Sequence, residues 1–230
     1  MPPEFTLILF EFATLVFAFS IHEASHAWMA SRCGDQTARM LGRVTLNPIK
    51  HLDPLGSVIL PVIAAIYHLP LIGWAKPTPI TPRNLHNYKR DDILITIAGP
   101  LSNLAVAIVC LIALIVVKHT VPNGSEAISN VSGFALGNPD AVTTGRAFPL
   151  FLILFCGLLV NLSLAVFNVI PIPPLDGSRI LRHFLPYNWL NMYDTVGRYS
   201  LLLLMLLGGR LMAVLYYPTL IVFLRALQNF

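Results

Sequence analysis

Two runs without a single charged side chain dominate the chain, Ile93 to Val117 and Ala147 to Leu175. Each exceeds the ~20 apolar residues that a helix needs to cross a bilayer core. Membrane helices are therefore predicted at about 93–117 and 148–170. Pro171, Pro173 and Pro174 close the second, because proline donates nothing to a helix and clashes inside one. A third run, residues 5–30, is apolar except for Glu11 and the His22–His26 segment. It is too long for the apolar part of a cleaved leader and no Lys or Arg precedes it, so it reads as a retained first span. Beyond Met192 the chain is apolar but interrupted by Gly208, Gly209, Arg210 and Pro218. This predicts one span at about 193–209 and a separate apolar C-terminal helix at about 211–228.

Residues 54–80 fit neither pattern cleanly. Pro54 to Leu71 is uncharged and long enough to span, yet it holds Gly56, Pro61, His68 and Pro70. In the following stretch, Ile72 to Ile80, Pro77 and Pro79 alternate with other residues, which suits extended backbone and not a helix. Two readings stay open: a further full span, or a re-entrant excursion with a helix going in and an extended return. Charge favours the second. Stretches 32–53, 76–92 and 177–198 hold eleven of the fifteen Lys and Arg residues, whereas 118–147 holds only Lys118 and Arg146. A re-entrant path leaves the three basic stretches on one side, which the positive-inside rule assigns to the cytoplasm. The N-terminus then lies outside. The expected fold is an all-α polytopic membrane protein, one domain over residues 1–230. It is a bundle of about four to six transmembrane helices, with a re-entrant or extended segment between the first span and the one at 93–117.

Composition supports this class. The chain is 56% hydrophobic and 11% charged, where a soluble domain is about a quarter charged. That excludes an ordinary soluble globule and a disordered chain. A net charge of +4, spread thinly, also excludes a nucleic-acid binder. The implied partner is the lipid bilayer, with the cell (inner) membrane as the expected location. Cys33, Cys110 and Cys156 are isolated and offer neither a disulfide framework nor a cysteine metal site.

Chemistry concentrates in His22–Glu23–Ala24–Ser25–His26. On a helix, positions i and i+4 share a face, so both imidazoles can grip one ion, with Glu23 one residue further round. Two neutral imidazoles at this spacing suit zinc. Ionisable residues within a membrane helix are costly and mark function. A catalytic zinc usually takes three protein ligands and leaves one position open. The strongest candidate for the third is Asp176, which follows the second long run and precedes Gly177.

These residues match a family. His22–Glu23–x–x–His26 near the end of a first span, then Asn168–x–x–Pro171–x–Pro173–x–x–Asp176–Gly177, resembles the site-2 protease family of intramembrane zinc metalloproteases. Gly42 to Pro48, Gly73 to Pro77, and Gly99–Pro100–Leu101–Ser102–Asn103 are further similar stretches. The likeness covers roughly residues 10–185 and points to the compact bacterial or archaeal branch. The 118–147 loop is too short for a PDZ module, and no CBS pair follows. The resemblance implies one Zn2+ per chain, held by His22, His26 and Asp176. It implies Glu23 as general base and acid, and Asn168 beside the metal to steady the developing oxyanion. Asn103 and Trp74 are assigned to substrate binding, and Asn161 to packing. The implied activity is an endopeptidase cutting membrane-protein substrates in or near a transmembrane helix. Such work releases tethered regulators or clears signal-peptide remnants. The alternatives are a proteolytically silent membrane scaffold and a metal transporter using the same ligands. Oligomeric state is open.

Overall fold

The computed structural model describes residues 3–67, 73–138, 145 and 147–230. Among them every regular element is helical. In chain order these are α1 (Pro3–Arg32), α2 (Thr37–Met40), α3 (Leu60–Ile66), α4 (Tyr88–Thr120) and α5 (Gly124–Ala135). Then come α6 (Phe148–Val169), α7 (Asp176–Arg182), α8 (Tyr187–Arg198) and α9 (Ser200–Asn229). Four stretches are long and apolar enough to cross a membrane: Phe5–Arg32, Tyr88–Thr120, Phe148–Val169 and Leu206–Asn229. The chain is a multi-pass helical membrane protein.

Lipid tails are as apolar as leucine, so close packing and interhelical polar contacts hold such a bundle together. Helices α1, α4 and α6 pack pairwise into a triangle. Away from the histidines, Leu114 of α4 and Phe151, Leu152, Phe155 and Leu158 of α6 form the core. Helix α5 closes it with Ile128 and Val131, and α9 with Leu227. Leu220 of α9 packs on Ala107 and Leu162.

The end of the chain differs from the sequence expectation of a span at about 193–209 and a separate helix at about 211–228. Helix α8 ends at Arg198, and α9 runs unbroken from Ser200 through Gly208, Gly209 and Pro218 to Asn229. Two glycines cost a helix only about 1 kcal/mol each. An unpaired backbone group in lipid costs several, so the helix continues.

The 54–80 excursion is short on its way in. Asp53 caps it, accepting from Leu55 N at 3.1 Å and Gly56 N at 2.8 Å. The chain then winds as a π-helix over Pro54–Ile59 into α3. At ~1.5 Å per residue, these six and seven residues reach only ~20 Å, short of the ~30 Å of a bilayer core. Residues 68–72, with His68 and Pro70, lie outside the described residues, as does Arg146. On the way back Trp74 N donates to Gly56 O at 3.2 Å, and Lys76 N to His51 O at 2.8 Å. Ser57 Oγ donates to Trp74 O at 2.7 Å. The chain thus returns beside its point of departure, extended over residues 73–81.

Asp35 ties down the end of this return. It is fully buried and accepts from Thr37 N at 3.1 Å, Thr37 Oγ1 at 2.5 Å, Thr81 N at 2.6 Å and Asn84 Nδ2 at 2.9 Å. Burial pushes its carboxyl up, but the hydrogen bonds from Thr37, Thr81 and Asn84 outweigh that and hold it below the ordinary carboxylate range. With the folded value below the unfolded one, its stabilisation is complete above about pH 4 and is lost as the pH falls through the folded value. Asp35→Asn turns an amide against these donors and should cost about 1–3 kcal/mol at neutral pH. Thermal unfolding in detergent checks this, and the variant should also show a flatter loss of stability toward low pH.

Candidate metal centre

The HExxH segment lies within the long helix α1, and the i, i+4 spacing turns both imidazoles to one side. His22 and His26 are buried, with their Nε2 atoms 3.0 Å apart. Asp176, at the start of α7, brings Oδ2 to 3.0 Å from His22 Nε2 and 3.4 Å from His26 Nε2. One donor atom from each residue lies within 4.8 Å of the others.

Proton positions decide what this cluster is. His22 Nδ1 sits 2.6 Å from Asn103 Oδ1, and His26 Nδ1 sits 2.7 Å from Ile95 O. Both oxygens only accept, so both Nδ1 atoms donate. In a neutral imidazole the other nitrogen then carries a bare lone pair. Asp176 Oδ2 is buried and finds no hydrogen-bond donor. With both imidazoles neutral, two lone pairs and a carboxylate oxygen therefore converge. Such a group fits a cation, and an N, N, O donor set fits zinc.

The direction of the Asn103 amide is set from further away. Asn161 Nδ2 donates to Gly157 O at 2.9 Å, which turns Asn161 Oδ1 toward Asn103. Asn103 Nδ2 donates to that oxygen at 2.9 Å and to Ala18 O at 3.2 Å, which turns its own Oδ1 toward His22. The sequence assigns Asn103 to substrate and Asn161 to packing. The structure buries Asn103 completely, with its amide engaged on both sides, beneath His22. Asn161 supports it. A buried asparagine in an apolar membrane helix was the available signal for Asn161. The Ile95 carbonyl carries no sequence signal.

Helix α4 serves the histidines from one face at four-residue spacing: Ile95 O, Gly99, Asn103 Oδ1. Gly99 is there for space, since a Cβ would fall 2.5 Å from His26 Nε2 and 2.7 Å from His22 Cε1. Gly177 plays the same part for the third donor: a Cβ there would strike the carbonyls of Val169 and Ile170. Helix α7 is held against the start of α4 by Asp92, which is buried. Its Oδ1 pairs with Arg179, and its Oδ2 lies 2.7 Å from His183 Nε2.

The other expected site residues are placed as follows. Glu23 is half-buried, and its Oε2 accepts from Thr78 N at 2.8 Å and Thr78 Oγ1 at 2.7 Å. Thr78 belongs to the extended return and was not singled out by the sequence. Asn168, near the end of α6, donates through Nδ2 to Leu164 O at 3.0 Å, within its own helix. Trp74 is half-exposed and lies against Gly56.

Asn161→Leu removes the first link of the amide relay. Loss of such an outer partner typically costs 10–100-fold in metal affinity, and about that is expected here by chelator competition with zinc. Gly99→Ala should abolish stable metal binding in the same assay.

The chain matches the family described as Peptidase family M50 over residues 10–207. It is 37% identical over 175 residues to "Putative zinc metalloprotease YwhC" of Bacillus subtilis, covering 75% of this chain and 68% of that protein. It is 34% identical over 92 residues to "Putative zinc metalloprotease Rip2" of Mycolicibacterium smegmatis, covering 40% of this chain and 34% of that protein. Against the Rip2 of Mycobacterium tuberculosis it is 28% identical over 162 residues, 70% of this chain and 51% of that protein. The chain thus spans about half or less of the mycobacterial relatives. No solved structure matches it. With the family match covering most of the chain, the chain is a metalloprotease and belongs to Peptidase family M50.

Proposed function

We propose that this metalloprotease is a zinc-dependent intramembrane endopeptidase, cutting membrane-protein substrates in or near their transmembrane helices. His22, His26 and Asp176 hold the zinc, one per chain. The observation that carries this reading is the convergence of two ring nitrogens of the membrane helix α1 and a carboxylate oxygen at the start of α7, next to Glu23. Zinc held there supplies Lewis acidity, lowering the pKa of a water to about 7 and polarising a peptide carbonyl. Glu23 accepts the proton of the attacking water and returns it to the leaving amine. Thr78 saturates Oε2 of that carboxylate, which leaves Oε1 for the proton. Asn168 donates to the developing oxyanion once its amide leaves Leu164 O; one donor of that kind contributes about 3 kcal/mol in other enzymes.

The orientation follows from charge. Cys33 O accepts from His86 N, Asp35 from Thr81 N, and Asp92 pairs with Arg179. These contacts gather the three basic stretches at one end of the bundle. The positive-inside rule makes that end cytoplasmic, in the cell (inner) membrane with the N-terminus outside. The 54–80 segment is then re-entrant, a reading supported by its short inward helix and by the Trp74–Gly56 and Lys76–His51 hydrogen bonds. The whole chain acts as one domain.

A transmembrane helix hides its peptide groups in its own hydrogen bonds, so it must unwind to be cut. The extended return offers a place for the unwound strand. Trp74, Lys76 and Thr78 turn their N–H groups into the protein. Ala75, Pro77 and Pro79 alternate with them and make no hydrogen bond among the described residues. Two of these three are prolines, so the free edge offers carbonyls and one N–H. Trp74 stands at the start of this edge and lines the substrate's path.

Purified wild type and Glu23→Gln, incubated with a model membrane substrate and analysed for zinc, test the activity. The variant should keep its zinc and lose cleavage by about 10²–10⁴-fold. Equal product from both would overturn the role of Glu23. Zinc carried across vesicles without cleavage would identify a transporter. The edge is tested separately with substrates N-methylated at alternate backbone positions. Methylation in one register should raise KM severalfold and in the other should not; equal effects in both would remove the pairing.

A further inference from the structure

Helix α8 is not used by the chemistry above, and its surface divides into three parts. At about 100° per residue, Trp189, Met192, Val196 and the adjoining Tyr199 fall within an arc of about 80°. They are 57%, 57%, 44% and 67% exposed. Leu190, Tyr193 and Gly197 form the next arc and are the less exposed positions. These face the protein. Tyr193 Oη donates to Pro171 O at 3.0 Å and lies 3.3 Å from Ser178 O, and Gly197 lies against Pro173. The remaining arc is polar apart from the exposed Tyr187 at the first position: Asn188, Asn191, Asp194, Thr195 and Arg198, with Asp194 accepting from Arg182 at 3.0 Å.

We propose that α8 is an in-plane interfacial helix whose Trp189, Met192, Val196 and Tyr199 dock into the lipid surface at the basic end of the bundle. Four large apolar side chains on one arc need a cover, and none of the described elements supplies it. The cover is lipid, for reasons of length, continuity and charge. Twelve residues reach only ~18 Å and cannot span a ~30 Å core, so the helix lies flat. Its apolar arc continues directly into α9: Tyr199, between the two helices, and Leu202 and Leu206 of α9 are spaced three and four apart and are all exposed. That line joins the lipid-facing side of a membrane helix. Tryptophan and tyrosine favour the headgroup level. The polar arc carries Arg198, and Arg182 lies beside it, suited to anionic headgroups. Through Tyr193 the same helix grips both sides of the turn that carries Asp176, so the membrane surface helps to set the third metal donor.

The test uses the full chain in phosphatidylglycerol-containing vesicles and needs neither metal nor proteolysis. Single variants Met192→Cys and Val196→Cys on the apolar arc, and Asn191→Cys and Thr195→Cys on the polar arc, carry an environment-sensitive fluorophore. The unsubstituted chain, with Cys33, Cys110 and Cys156, gives the background. Probes at 192 and 196 should emit to the blue, be quenched by nitroxides on the upper acyl chain, and resist aqueous iodide severalfold more than those at 191 and 195. Iodide access equal on both arcs overturns the proposal. So does shielding at 192 and 196 that disappears when the protein is diluted into excess lipid, which would make the cover a second copy of the chain.

Discussion

With both imidazoles neutral, two ring lone pairs and a carboxylate oxygen face one another across 3.0–3.4 Å. Without a cation these atoms repel, and burial removes the water that would screen them. The surrounding fold has to sustain that arrangement. It does so by giving each imidazole a better use for its proton on the far side of the ring: a backbone carbonyl for His26 and a braced amide for His22. The metal donors are thus made by hydrogen bonds that point away from the metal.

Helix α4 is the template for this arrangement. One face presents a carbonyl, a gap and an amide at successive turns, matched to the two histidines of α1. Its first turns also anchor the third donor, because Asp92 grips Arg179 within α7 and His183 just after it. Both halves of the site are therefore registered against a single rigid element. The spacing of Gly99 and Asn103 is the mark this leaves in the sequence.

The three clustered side chains were legible as candidate metal ligands, because the chemistry of a metal site constrains residue type and spacing together. His22, His26 and Asp176 needed only helical periodicity and the cost of charge in lipid. The support was less legible. Asn103 stands out in the sequence but says nothing of which way its amide points, and that direction depends on Asn161 and on the Gly157 carbonyl. Ile95 contributes only its backbone. Thr78 is an ordinary threonine until the chain folds back against Glu23. The course of α9 was misjudged because Gly208, Gly209 and Pro218 break helices in water, whereas lipid penalises the exposed ends that a break would create.

The extended return has a consequence for the choice of target. An edge built from the carbonyls of Ala75, Pro77 and Pro79 asks its partner for N–H groups, and every amino acid except proline has one. Recognition through that edge reads no side-chain alphabet. Under the proposed function, selection among membrane proteins would then pass from sequence to mechanics: which helix, under thermal motion or after trimming, most readily lets go of its own backbone.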